Sequence, residues 1–284
     1  MIMNENRIKG VIDLHIHSGP DVKTRKMNDL ELMEVSVRLG VRAVVIKSHH
    51  VPTMDRATLT NLICEQRYPN SDFTMFGGIA LNQSVGGLNP YAVEAALKLG
   101  AKVVWLPTLD AANQRRKDGR SGGIELTRGG KAVPELIPIF ELIRDYDVML
   151  QTGHISGSEC FPVVEAARKA GVQKIVVTHP EYHIVDMDIE QQRRIVLDYD
   201  VLLEREYAQP VGRGFKSNLA DNVEAIRTIG CEHFIIATDS GQMANPYWFN
   251  ALSESLDYYY DAGFTAKEMD TMTRRNPGRM LGII

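Results

Sequence analysis

Five residues of this chain have the types and settings that metal-assisted chemistry requires: His15, His17, His154, His179 and Asp239. His15 and His17 stand two apart in Asp13-Leu-His-Ile-His17, and residues at i and i+2 of a strand point to one side, so the two imidazoles share a face. Neutral imidazole is the commonest metal ligand. His154 closes Gln151-Thr-Gly-His154. His179 lies in Thr178-His-Pro180, where the proline is expected to hold it in extended backbone. Asp239 lies in Thr238-Asp-Ser240. A lone histidine after a strand is more often simply hydrogen-bonded, but five such residues at the ends of four strand-like runs point to a metal site. A divalent cation lowers the pKa of bound water to about 7, and a carboxylate beside it accepts the proton and later returns it to the leaving group. Asp239 is expected to be that base.

The elements that must position these residues follow from hydropathy. Short β-branched runs occur at Gly10–Leu14, Val41–Ile46, Phe73–Ala80, Lys102–Leu106, Val148–Gln151, Lys174–Val177, Val201–Leu203 and Phe234–Ala237. Several are nearly continuous in apolar residues, as strands buried on both faces of a parallel sheet are. Amphipathic helical stretches alternate with them, including Asp29–Leu39, Pro90–Leu99, Pro134–Asp145 and Phe161–Ala170. Glycine ends several of these just before the next strand, at Gly40, Gly100 and Gly171, because it tolerates the left-handed backbone of a helix C-terminus. Successive strand markers are 32, 30, 30, 45, 27, 26 and 33 residues apart. One βα unit fits each gap. Eight such units without a linker predict a (β/α)8 TIM barrel, a single α/β domain over residues 1–284, with the active site at the C-terminal ends of the strands. The one long gap holds the polar, Gly-rich stretch Asn113–Gly123, of the kind that lids an active site.

The ordered set resembles the amidohydrolase superfamily of metal-dependent barrels: a His-x-His on strand one, single histidines ending strands five and six, and an aspartate ending strand eight. The closing Asn276-Pro277-Gly-Arg-Met-Leu281-Gly282 is similar to a signature near the end of many members. The resemblance implies that His15 and His17 bind a buried metal with Asp239 beneath the attacking water. It implies that His154 and His179 hold a second ion or, in one-metal members, that one of them orients the substrate. One departure matters. Two-metal members usually bridge the ions with a carboxylated Lys or a Glu ending strand four, and here strand four reads Val103-Val-Trp-Leu-Pro-Thr108. Strand two ends Lys47-Ser-His49-His50 instead, and alternation places Lys47 and His49 on one face. Lys47 is read as an unusual bridge, a cationic clamp on substrate or a snorkelling surface residue. The adjacent histidines are similar to a motif of the PHP phosphoesterases.

Weaker signals surround this set. Strand seven runs into Glu204-Arg-Glu206, and alternation does not say which acid faces the site; Glu204 is read as a partner of a ligating histidine, a substrate contact or a salt-bridged rim residue. Arg115, with Arg116, Lys117 and Arg120, crowds the long loop, while Arg213 and Lys216 follow strand seven. They either recruit an anionic substrate or form a solvated surface. Gly77-Gly78 admits a close ligand or tight packing. Cys160 reads as packing, and Tyr258–Tyr260 as packing or a subunit contact.

Composition sets the class. The 284 residues are 44% apolar and 24% charged, with a net charge of −4, which gives a globular core and no basic face for nucleic acid. No apolar run approaches the length of a membrane span, and the opening Met-Ile-Met-Asn-Glu-Asn-Arg has no export-signal core. Three widely spaced cysteines form no disulfide framework. The expectation is a cytoplasmic metal-dependent hydrolase acting on an amide, lactone or ester of a small, anionic substrate, with homo-oligomers left open. It would hold one or two divalent ions, zinc favoured by affinity over manganese and iron. The alternatives are a mononuclear decarboxylase or PHP-like phosphoesterase on the same scaffold, and a barrel that binds metal or ligand without turnover.

Overall fold

The computed structural model describes residues 5–284; of the opening heptapeptide, Met1–Asn4 lie outside the described residues. Eight strands alternate with eight principal helices: β1 (Ile12–Ile16), α1 (Asp29–Leu39), β2 (Ala43–Ile46), α2 (Met54–Arg67), β3 (Thr74–Ala80), α3 (Pro90–Lys98), β4 (Val103–Trp105), α4 (Ile137–Asp145), β5 (Met149–Gln151), α5 (Gly157–Lys169), β6 (Ile175–Val177), α6 (Ile189–Tyr199), β7 (Leu202–Arg205), α7 (Leu219–Ile229), β8 (Phe234–Ile236) and α8 (Trp248–Asp261). The strands form one sheet in the order β1 to β8. Beyond β8, Ser240 bridges in parallel to Ile16, and the Asp239 amide donates to the His15 carbonyl at 2.9 Å. A parallel sheet closed from last strand to first, with a helix after each strand, is the expected (β/α)8 barrel.

Local chemistry explains the elements. The runs identified as strands are short and mostly buried and apolar. Helices α1, α5 and α6 begin with capping boxes: Asn28 with Glu31, Ser156 with Glu159, and Asp188 with Gln191. The three predicted stop glycines, Gly40, Gly100 and Gly171, have φ of 68°, 92° and 93°. Among the described residues no helix is long and apolar enough to cross a membrane.

The chain packs as two compact units, one comprising the residues up to Ser48, Thr53–Gly77 and Arg205–Ile284, the other His49–Pro52 and Gly78–Glu204. The first holds β1, β2, β8 and helices α1, α2, α7 and α8. In it the Asn276-Pro-Gly-Arg-Met-Leu-Gly segment forms a short helix, and Asn276 Nδ2 donates to the carbonyls of Glu232 (3.0 Å) and Phe234 (2.8 Å), pinning the start of β8. Tyr259 is buried there, its hydroxyl accepting from Asn222 Nδ2 at 3.0 Å, while Tyr258 is exposed. The second unit holds β4, β5, β6 and helices α3 to α6. Its long connection after β4 is ordered: residues Ala112–Lys117 are helical, and Ile124 exchanges backbone hydrogen bonds with Asp110 and Ala112. Cys160 is fully buried, and burial pushes its thiol up to about 12, in keeping with a packing role.

The glycine pair of β3 is explained by packing within each unit. A Cβ on Gly77 would stand 2.5 Å from the Met54 amide at the start of α2, and one on Gly78 would stand 2.2 Å from the Val103 carbonyl oxygen. By contrast, a Cβ on Gly100 meets nothing within 4 Å. Gly78→Ala should therefore destabilise the protein by about 3 kcal/mol in urea titrations, and Gly100→Ala by about 1 kcal/mol from backbone strain alone. Equal losses would show that the backbone approach at Gly78 is not close.

Candidate metal centre

The first unit brings His15, His17 and Asp239 together, all buried. Their ligand atoms lie within 4.8 Å of one another. Asp239 Oδ1 is 3.3 Å from His15 Nε2 and 3.0 Å from His17 Nε2. The other ring nitrogens fix the tautomers. His17 Nδ1 is 2.9 Å from the Lys47 carbonyl, which only accepts, so Nδ1 carries the hydrogen and Nε2 presents a lone pair. His15 Nδ1 is 2.9 Å from a Glu206 carboxylate oxygen, and Lys47 Nζ is 2.9 Å from His15 Nε2. An ammonium only donates, so His15 Nε2 accepts from Lys47, with Asp239 Oδ1 3.3 Å from the same nitrogen. The two Nε2 atoms and a carboxylate oxygen thus converge in a buried group that could hold a divalent cation.

Electrostatics agree with this assignment. Burial, then the positive charge of Arg25, brings His17 down to about 3, so its imidazole is neutral at physiological pH. Burial alone would raise Asp239, but the charge at His15, the contact with His17 and the charge of Lys47 outweigh it and hold the carboxyl well below the usual range. Asp239 is therefore ionised, and Gln242 Nε2 donates to its Oδ1 at 3.0 Å.

Backbone geometry sets these positions. The His17 amide donates to the Ser240 carbonyl at 2.7 Å. Asp239 takes φ of 46°, and Gly241 comes so near β1 that an added Cβ would lie 1.7 Å from the His17 carbonyl oxygen. Beneath them Asp13 accepts from the His15 amide (3.1 Å), the Thr238 hydroxyl (2.7 Å) and Trp248 Nε1 (2.9 Å). Burial raises Asp13 to about 6 despite these bonds.

The remaining predicted residues fall as follows. Lys47 is fully buried, which removes the surface reading; it serves both histidines, one by its carbonyl and one by its ammonium. Of the two acids at the end of β7, Glu206 stands 2.9 Å from His15 Nδ1, and Glu204, buried within the strand, accepts from Gln151 Nε2 at 2.9 Å. His49 does not share Lys47's setting, because β2 ends at Ile46 and alternation stops there. It lies in the second unit, Nδ1 2.8 Å from the Thr108 hydroxyl, with the His50 ring edge-on at 6.5 Å. His154, its Nδ1 2.7 Å from Gln114 Oε1, packs with His49 and His179 at ring separations of 5.7 and 5.0 Å. Among the described residues neither His154 nor His179 joins a group of three ligand atoms within 4.8 Å. His179 is not extended: its φ is 28°, set by a turn in which the Tyr182 amide donates to its carbonyl and the two rings stack at 4.1 Å. Proline disfavours only the right-handed helical region before it. Arg115 braces its own loop, to Ser121 and Asp110. Lys117, Arg120 and Lys216 likewise pair with nearby acids.

The neutrality of His17 has a measurable consequence. Its folded pKa lies below the unfolded value, so its contribution to stability is complete above about pH 6.5 and is lost as pH falls toward 3. Asp13 has the opposite slope from about 6 down to 3.8, but a His17→Gln variant shares it. In urea titrations of chelator-treated protein, wild type should lose about 2 kcal/mol more than His17→Gln between pH 7 and pH 5. Parallel curves would mean that His17 is not held neutral.

No curated protein matches the sequence. Among solved structures, the chain is similar to an amidohydrolase from Pseudomonas aeruginosa (TM-score 0.68, 12% identity, 98% of this chain and 97% of that one). It is similar also to a dihydroorotase from Campylobacter jejuni (TM-score 0.63, 12% identity, 98% and 84%). A third is a dihydroxybenzoic acid decarboxylase from Polaromonas with bound manganese and the inhibitor 2-nitroresorcinol (TM-score 0.57, 11% identity, 97% of both). At these identities the likeness is one of fold, and it bears out the fold-level part of the amidohydrolase resemblance. A family model matches residues 10–204, and the chain belongs to that family, DUF6282, a family of unknown function.

Proposed function

We propose that the chain is a metal-dependent hydrolase whose single divalent cation is held by His15, His17 and Asp239. The observation that carries this reading is the convergence of three buried ligand groups, with Asp239 Oδ1 3.3 Å from His15 Nε2 and 3.0 Å from His17 Nε2. Zinc or manganese fits the His/His/Asp donor set. When bound, such an ion activates water and polarises a carbonyl oxygen. The chain's own groups do the rest. Asp239, ionised, accepts the proton of the attacking water and passes it to the leaving group. Glu206 stands against His15 Nδ1, and Lys47 supplies positive charge beside the developing oxyanion. The bond broken is an amide, lactone or ester of a small molecule. The free cysteines, Cys64, Cys160 and Cys231, fit a reducing, cytoplasmic setting.

A second reading is decarboxylation by one metal. Where an acid from strand four would bridge two ions, Trp105 instead donates from Nε1 to Gln151 Oε1 at 2.6 Å. The manganese-bound Polaromonas decarboxylase shares the fold.

Elemental mass spectrometry on protein purified without chelator should find about one divalent ion per chain, lost in His15→Ala. The loaded enzyme should hydrolyse members of a lactone, ester and amide panel, and Asp239→Asn should lower kcat about a thousandfold. Carbon dioxide release from aromatic acids without hydrolysis would select the second reading. Wild type that stays empty after zinc and manganese are supplied would overturn both.

A further inference from the structure

The loop between β1 and α1 carries a side chain that neither the fold nor the ligand set explains. The loop is pinned within the first unit: Gly19 N donates to the Met27 carbonyl (2.9 Å) and Asp29 N to the Gly19 carbonyl (2.8 Å). Lys26 N donates to the carbonyl of Gly241 (3.0 Å), the residue pressed against His17. Arg56 adds an ion pair to Asp29 at 3.0 Å and a bond to the Pro20 carbonyl. Arg25 is thereby fixed beside the segment that holds Asp239.

Its guanidinium is nearly dry, with 3% of the side chain exposed, and its ion pair among the described residues is at one edge, Nε to Asp21 Oδ2 at 2.7 Å. Asp21 does not form the second bond of a bidentate pair, because Oδ1 is taken by the Ser48 hydroxyl (2.7 Å) and the Val22 amide (2.8 Å). Arg25 Nη2 is left buried with no hydrogen-bond acceptor among the described residues. A buried charged donor without an acceptor is destabilising. The surroundings spend two further residues, Asp21 and Ser48, on holding it there.

We propose that Arg25 is the substrate-binding residue of this site and that the group it takes is a carboxylate. The planar fork of a guanidinium matches a carboxylate, and Asp21 already balances part of the charge, which suits a monoanion better than a phosphate dianion. The substrate is therefore a small carboxylic acid, bound by Arg25 at one end while its scissile group lies at the cation. This assignment rests on the metal-site reading above.

The test compares two carboxylates, benzoate and butyrate, with their neutral amides, benzamide and butyramide, by calorimetry on metal-loaded protein. Wild type should bind each acid at least tenfold more tightly than its amide. Arg25→Gln should abolish that preference at unchanged metal content. Arg25→Lys, which keeps a cation against Asp21 but lacks the fork, should retain only part of it. Equal binding of acid and amide by wild type, or a preference that survives in Arg25→Gln, would overturn the proposal while leaving the metal site intact. A metal-free protein in which His15→Ala changes nothing would instead fail the underlying reading, and the carboxylate assignment with it.

Discussion

The constraint on which this structure turns is the meeting of three polar side chains, His15, His17 and Asp239, in a buried place. Burying them together has a desolvation cost, so the fold must hold them there. It does so by closing the end of β1 onto the segment after β8, through backbone bonds from Asp239 to His15 and from His17 to Ser240. The closure needs a residue without a side chain at position 241 and a positive φ at Asp239. Aspartate is among the few residues other than glycine that accept that conformation without a large penalty. One residue type therefore meets two demands, as a ligand and as a turn.

Two buried aspartates of this unit show how environment divides their roles. Asp13 accepts from an amide, a hydroxyl and an indole, and its desolvation prevails, so its carboxyl titrates high, near 6. Asp239 faces the charge of His15 and Lys47, and there attraction prevails over desolvation. The first carboxyl is a structural tie that gathers β1, Thr238 and Trp248. The second stays ionised. Pushing the pKa values of neighbouring carboxyls apart by their surroundings is a general way of assigning structural and reactive parts.

Much of this was legible in the residues. Parallel strands buried on both faces are short apolar runs, and the polar residue that ends such a run is conspicuous; this is why the eight strands and His15, His17 and Asp239 could be read directly. What could not be read depends on where alternation stops or on contacts far apart in sequence. Strand β7 ends at Arg205, so alternation does not carry to Glu206, and only the three-dimensional course after Arg205 puts it on His15. Lys47 and His49 diverge because β2 ends between Ile46 and Lys47. Asp13 read as the flank of a histidine pair, since its partners Thr238 and Trp248 lie more than 200 residues away. Arg25 sat in a loop with no periodicity at all, and its one signal, an aspartate four residues earlier, is common on any surface.

The second unit's histidines bear on the size of the metal site. His49, His154 and His179 gather around one another, yet they do so as packed rings: Nδ1 of His49 is engaged by Thr108, Nδ1 of His154 by Gln114, and the ring of His179 lies flat on Tyr182. None of these partners is a carboxylate, and the residue that ends β4 is an indole bonded to Gln151. A hydrolytic ion needs converging donors and an anionic neighbour to take a proton. In the first unit two imidazoles and the carboxylate of Asp239 stand in one buried cluster, with Glu206 against His15, and on the reading proposed above it is there that an ion would find both.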